Sequence, residues 1–266
     1  MVLQKLLTIG FALFIISCNH NKDKTSVTGS HDTSAVQIRQ AILRYPDSLQ
    51  LIEQLIQHYR DQGMYDTAIL ITENTIKRDS NVAELWDIKA TLHYENGDTL
   101  NSIKSFERAI SIYPIPEYVI SLGTLYAQTK NPKAIALADA LIMGDKSKAT
   151  KEALFIKGLY YNYTGNKKKA IGYFDSCLRI DYTYMFAYRE KAIALYESGR
   201  YEEALKVLTM AVTLQNNFDE GYYWMGLCYE KLNKLQDAIQ SYQAALMYDK
   251  DYIEARNALN RLMPSK

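Results

Sequence analysis

The chain has 266 residues, with 31 basic and 30 acidic side chains and a formal net charge of +1 at pH 7. So even a balance leaves no bulk attraction to a polyanion, and no nucleic-acid partner is expected. The one basic run, Lys167-Lys168-Lys169, reads as the solvated start of a helix.

At the N-terminus, Lys5 precedes an apolar run from Leu6 to Ile16, interrupted by Thr8 and Gly10. The run is too short to cross a bilayer, which takes about 20 apolar residues. A charged start, a short apolar core and a small residue before the boundary read as an export signal over 1–17. Ile15-Ile16-Ser17-Cys18 resembles a bacterial lipobox, with Ile15 where leucine is usual. The resemblance implies that Cys18 is lipidated and becomes the mature N-terminus, anchored in the membrane by its acyl chains. Residues 18–33 are then the lipidated cysteine and a flexible polar tether. Asn19 beside the cysteine implies the outer membrane of a bacterial envelope, facing the periplasm.

The stretch 34–48 holds a partial leading helix, Ala35 to Arg44, closed by Tyr45-Pro46. From Leu49 to Tyr252 a pattern then returns about every 34 residues. Its clearest copies are Lys157-Gly158…Tyr161…Gly165…Ala170…Phe174, Lys191-Ala192…Leu195…Gly199…Ala204…Leu208 and Met225-Gly226…Tyr229…Asn233…Ala238…Tyr242. Each copy reads as a helix, a turn and a second helix. In the fifth copy these are Met185 to Tyr196, Glu197-Ser198-Gly199-Arg200 and Tyr201 to Leu214. Gly199 suits a left-handed helix end, and Asn166, Asn233 and Lys130 stand at or beside the matching points. The small residues Gly158, Ala192, Gly226, Ala170, Ala204 and Ala238 predict closely approaching helices, with large residues filling the space between copies. Thr72, Thr75 and Ser102 break that pattern and predict looser packing in the N-terminal copies. A fault falls near Asn131-Pro132. Residues 253–263 read as a capping helix with Glu254, Arg256, Asn257 and Arg261 on its polar face.

These spacings, with Trp86…Ala90…Gly97-Asp98…Phe106…Ala109…Pro114 in the second copy, resemble the tetratricopeptide repeat. The resemblance implies an all-α, right-handed α-solenoid of about six helix–turn–helix units over 49–252, plus the cap. It also implies that first helices line a concave groove that holds a protein or peptide partner. The groove positions in the last three copies are Phe155, Leu159, Asn162, Phe186, Arg189, Tyr196, Tyr223 and Glu230. A carboxylate clamp of the kind that grips heat-shock chaperone tails is not expected. Its places hold Glu53 and Gln57, then Asp87 and Thr91, with Glu84 and Glu152 nearby.

No H-E-x-x-H, P-loop, dinucleotide fingerprint or G-x-S-x-G occurs in the sequence. His58 and His93 read as space-filling residues. Cys177 and Cys228 lie two copies apart, beyond the roughly 7 Å reach of a disulfide, and read as buried free thiols. No catalytic residue, metal or cofactor is expected. The sequence thus reads as a lipid-anchored envelope scaffold for protein–protein interactions, serving assembly of outer-membrane or envelope machinery. An adaptor for envelope peptidases or cell-wall enzymes, and a small-ligand-binding solenoid, stay open as alternatives.

Overall fold

The computed structural model describes residues 31–144 and 146–263. The export signal, Cys18 and residues 18–30 of the tether lie outside the described residues. Fourteen α-helices and no strand occur among the described residues. They are α1 (His31–Arg44), α2 (Leu49–Asp61), α3 (Tyr65–Ile76), α4 (Ala83–Glu95), α5 (Thr99–Ile112), α6 (Pro116–Gln128) and α7 (Lys133–Gly144). Then follow α8 (Lys146–Tyr163), α9 (Lys167–Ile180), α10 (Met185–Glu197), α11 (Tyr201–Leu214), α12 (Asp219–Lys231), α13 (Leu235–Tyr248) and α14 (Ile253–Leu262). The leading helix begins at His31, four residues ahead of the expected start at Ala35, so residues 31–33 of the expected tether are helical. The chain forms two compact units that divide within α6, after Leu125.

In the second unit α8 packs on α9, α10 on α11 and α12 on α13. What closes these pairs is a ring laid against a glycine. A Cβ built on Gly158 would stand 2.5 Å from Cε1 of Phe174, and one on Gly226 would stand 2.5 Å from Cε1 of Tyr242. No side chain fits in either seat, so the helices meet backbone to ring. The middle pair solves the same problem with the volumes exchanged: the equivalent positions hold Ala192 and Leu208, both buried. Ala170, Ala204 and Ala238 are fully buried on the second helices, as small contact residues must be.

The turns follow from helix-end chemistry. After α10, Gly199 has φ +73° and Arg200 N–H donates back to the Leu195 carbonyl at 2.9 Å, the six-residue closure of a Schellman end. Lys130 (φ +59°) and Asn233 (φ +57°) do the same without glycine. Asn166 has another task. Gly165 takes the positive φ, and the Asn166 side chain caps α9 by accepting from Lys169 N–H.

The expected fault has a structural form. α7 has 12 residues, and α8, at 18, is longer than the 13-residue first helices α10 and α12. Ala134, Ala138 and Leu141 set the buried face of α7. At the other end α14 buries Ala255 and Ala258 and exposes Arg256, Asn257 and Arg261, with Glu254 half-buried.

In the first unit Ile52, Ile56, Ala68, Ile69 and Leu92 form a core from α2, α3 and α4. Thr72 fills the place that Phe174 and Tyr242 hold elsewhere. It is fully buried, and its hydroxyl donates to the Ala68 carbonyl at 2.8 Å. Ser102 is also fully buried, and its hydroxyl has no hydrogen-bond partner. A second cluster joins Ala83, Ala109 and Tyr118.

Ala204→Trp is expected to part its helix pair and lower stability by more than about 1–3 kcal/mol in chemical denaturation. Gly158→Ala alone should destabilise, and adding Phe174→Leu should recover part of the loss. The pair then copies Ala192 and Leu208, and the double-mutant cycle should show a favourable coupling of about 0.5–3 kcal/mol.

Candidate functional site

In the second unit α10 touches both α8 and α12, so three first helices lie side by side. All eight expected groove residues stand on these helices, but they do different work. Leu159 is fully buried and belongs to the core; its apolar side chain is spent on packing and cannot meet a partner. Phe155 is buried against Phe174 and Tyr184, with ring centroids at 5.8 and 5.3 Å. Asn162 is buried too, and both its side-chain oxygen and its carbonyl accept from Lys167 Nζ, at 2.6 and 3.0 Å. Lys167 also pairs with Glu197 of α10. Tyr223 packs at 5.0 Å against Tyr252 and at 5.9 Å against Tyr242.

Phe186, Tyr196 and Glu230 keep partial exposure. Phe186 lies edge-on to Tyr184, and the Arg189 guanidinium sits 5.4 Å from its ring centroid. Tyr196 meets Trp224 edge-on at 5.5 Å. Glu230 accepts from the Tyr242 hydroxyl and, at 2.6 Å, from Arg261 of the capping helix.

Arg189 is the electrostatic centre of this face. Though 5% exposed, it donates from Nη1 to both carboxylate oxygens of Glu220 at 2.8 and 2.7 Å. Its Nε lies 3.3 Å from Glu190. Burial works against its charge, but Glu190 and Glu220 outweigh burial and hold it protonated. Glu190, also buried, was not among the expected site residues. Burial pushes its carboxyl up, against the pull of Arg189. Its signal in the sequence is an Arg-Glu pair followed by a glutamate 31 residues after the arginine.

The first unit presents a different face. Asp87 on α4 has a buried oxygen, Oδ1, with no hydrogen-bond partner. Burial first, and Glu84 second, push its carboxyl up to about 7, with Arg60 opposing. Burial and Glu84 also raise Glu53 on α2. Tyr118 on α6 is raised by burial, then by Asp87, Glu84 and Glu117. Arg60 is engaged elsewhere, its Nε donating to Glu95 at 2.7 Å and its Nη2 closing a second bond to the same carboxylate.

His93 is buried with Nδ1 3.4 Å from Asp98, while His58 shares a 3.1 Å contact with Gln62. Among the described residues no group of three His, Cys, Asp or Glu side chains is arranged to hold a metal ion. Cys177 and Cys228 are both buried free thiols, and burial pushes each up to about 12.

Comparison with known proteins agrees with this geometry. Models of the tetratricopeptide repeat match residues 83–116, 151–184 and 219–252, and a TPR repeat model matches 193–233. The chain therefore carries tetratricopeptide repeats in an all-α solenoid fold. Human Superkiller complex protein 3 is 27% identical over 203 residues; the match takes in 73% of this chain but 13% of that protein's length. A tetratricopeptide repeat protein from Parabacteroides merdae superposes with a TM-score of 0.74 at 16% identity, over 88% of this chain and 92% of that one. PilW, described as a widely conserved type IV pilus biogenesis factor, gives 0.62 at 18% identity, over 79% and 97%. At these identities the two structures share the fold.

Asp87 makes stability depend on pH. Its carboxyl titrates near 3.8 when free and at about 7 when folded, so the folded state holds the proton more tightly. That contribution is complete below about pH 4 and is lost as pH rises through about 7. Asp87→Asn should be close to neutral at low pH and should stabilise by a few kcal/mol, in order of magnitude, above pH 7. Urea denaturation at both pH values checks this.

Proposed function

We propose that the protein is a lipid-anchored cell-envelope scaffold that holds a protein or peptide partner along its first-helix faces. The process it serves is assembly of outer-membrane or other envelope machinery. One observation carries the reading: Phe186 and Tyr196 on α10 and Glu230 on α12 stand half-exposed on two successive copies, each backed by buried aromatic or charged neighbours. Aromatic side chains held rigidly beside hydrogen-bonding groups are what a peptide-binding face requires, because little freedom is lost on contact. The leader pattern ending at Cys18 supports membrane attachment, with Asn19 favouring the outer membrane and a periplasmic orientation. PilW, the pilus biogenesis factor that shares the fold, exemplifies the kind of assembly task proposed.

Metabolic labelling with a fatty acid should mark the wild-type protein and leave Cys18→Ala unlabelled. A photo-crosslinking residue at Tyr196 should trap a discrete envelope protein, whereas the same residue at the buried Leu159 position should trap none. Label that persists in Cys18→Ala would remove the anchor, and no adduct at Tyr196 would remove the binding face.

A further inference from the structure

We propose that the outer faces of α1 and α3 form a membrane-docking surface, which rests on the phospholipid headgroup layer beside the acyl anchor. The proposal rests on the reading of Cys18 as a lipid anchor and adds which side of the protein meets the bilayer.

One outward position recurs a repeat apart along the second helices. Leaving aside α7 at the fault, it is held by Val36, Leu70, Lys104, Gly172, Lys206 and Gln240, and all six are exposed. It is apolar and large in α1 and α3, at 55% and 56% exposure, and polar or without a side chain in α5, α9, α11 and α13. A single exposed leucine is ordinary, but apolar side chains gathered in one place mark a contact surface. Here they gather. Leu43, two turns after Val36 on the same side of α1, is 83% exposed, and Tyr45 just beyond the helix is 65% exposed.

A hydrogen bond of 2.9 Å from Arg78 Nη1 to the Pro46 carbonyl ties the end of α3 to the turn after α1. The two helix faces therefore make one surface. At that end stand the exposed cations Arg44, Lys77 and Arg78, opposed by Asp47 and Asp79. Asp79 is occupied in accepting from Asn81 N–H, and Glu73 on α3 is held by Lys89 of α4 at 2.8 Å. Apolar side chains edged by cations and a tyrosine fit the boundary between lipid headgroups and acyl chains. The apolar groups enter the upper acyl region, the cations stay among the phosphates, and the tyrosine bridges the two.

Place in the chain says what covers this face. Twelve residues separate Cys18 from His31, and even fully extended they span at most about 40 Å. An inserted anchor thus confines α1 to the neighbourhood of the bilayer and raises the effective concentration of its outer face at the lipid surface. A face so confined needs little affinity of its own. The second helices nearest the anchor, α1 and α3, are those with the large apolar side chain at the outward position.

The test uses the mature lipidated chain, purified in detergent and reconstituted into vesicles of phosphatidylcholine and phosphatidylglycerol. Leu43→Cys, Leu70→Cys and Gln240→Cys each receive an NBD fluorophore, while Cys177 and Cys228 are buried and do not compete for it. Brominated acyl chains should quench the label at Leu43 and Leu70 at least about twofold, and leave the label at Gln240 unchanged. Adding Leu43→Asp to the Leu70-labelled protein should remove most of that quenching without altering circular dichroism, since Leu43 is exposed. Equal quenching at all three sites, or none at Leu43 and Leu70 in vesicles that carry the protein, overturns the docking surface and leaves the anchor standing. Emission that shifts with protein density but is not quenched assigns the face to a second copy, and overturns it too. A protein that fails to float with the vesicles removes anchor and docking together.

Discussion

The close approach of the two helices in each pair is the constraint on which everything else rests. Phe174 and Tyr242 lie where any side chain on Gly158 or Gly226 would have to be. Each ring buries its whole surface against a backbone, a favourable term of a few kcal/mol in order of magnitude. Once a ring is seated, its first helix cannot rotate about its own axis. Positions one repeat apart then face the same way, which is why Phe155, Arg189 and Tyr223 recur on one side.

Between neighbouring copies the fastening is polar and has its own spacing. Arg189 reaches Glu220 across 31 residues, Arg261 reaches Glu230 across 31, Lys167 reaches Glu197 across 30 and Arg60 reaches Glu95 across 35. The first three fall short of the repeat by about one helical turn and the fourth is close to the repeat itself, as expected for groups leaning from one copy towards the next. In the second unit a buried guanidinium sits between two carboxylates, Glu190 and Glu220. In the first unit Asp87 Oδ1 has no hydrogen-bond partner, and Arg60, forked on Glu95, opposes its raised carboxyl only through space.

Local rules with a single outcome were readable from the sequence. The boundaries of α10 and α11, the left-handed ends at Gly199, Lys130 and Asn233, and the small seats on both helices all follow from residue type and period. The cap at α14 follows from the polar face of Glu254, Arg256, Asn257 and Arg261. Less readable was anything decided by neighbours distant in the chain. Asn162 and Tyr196 stand one repeat apart on first helices, yet one is buried and the other half-open, because exposure depends on what the adjacent elements place over them. Nothing local marks Glu190 as buried: it pairs with Arg189, which is itself held by Glu220 of the next copy. Asn166 stands beside the turn as its residue type implies, but its role as a cap depends on Gly165 taking the left-handed conformation.

Cys177 and Cys228 sit at two different levels of the second unit, on α9 and α12. With each thiol pushed up to about 12, only roughly one in a hundred thousand is ionised at neutral pH even where a reagent could reach it. Both are therefore silent while their helices stay closed and become reactive when those helices part. In a stack whose layers hold only their neighbours, the two sulfurs act as clocks on separate layers, timing how often each one opens.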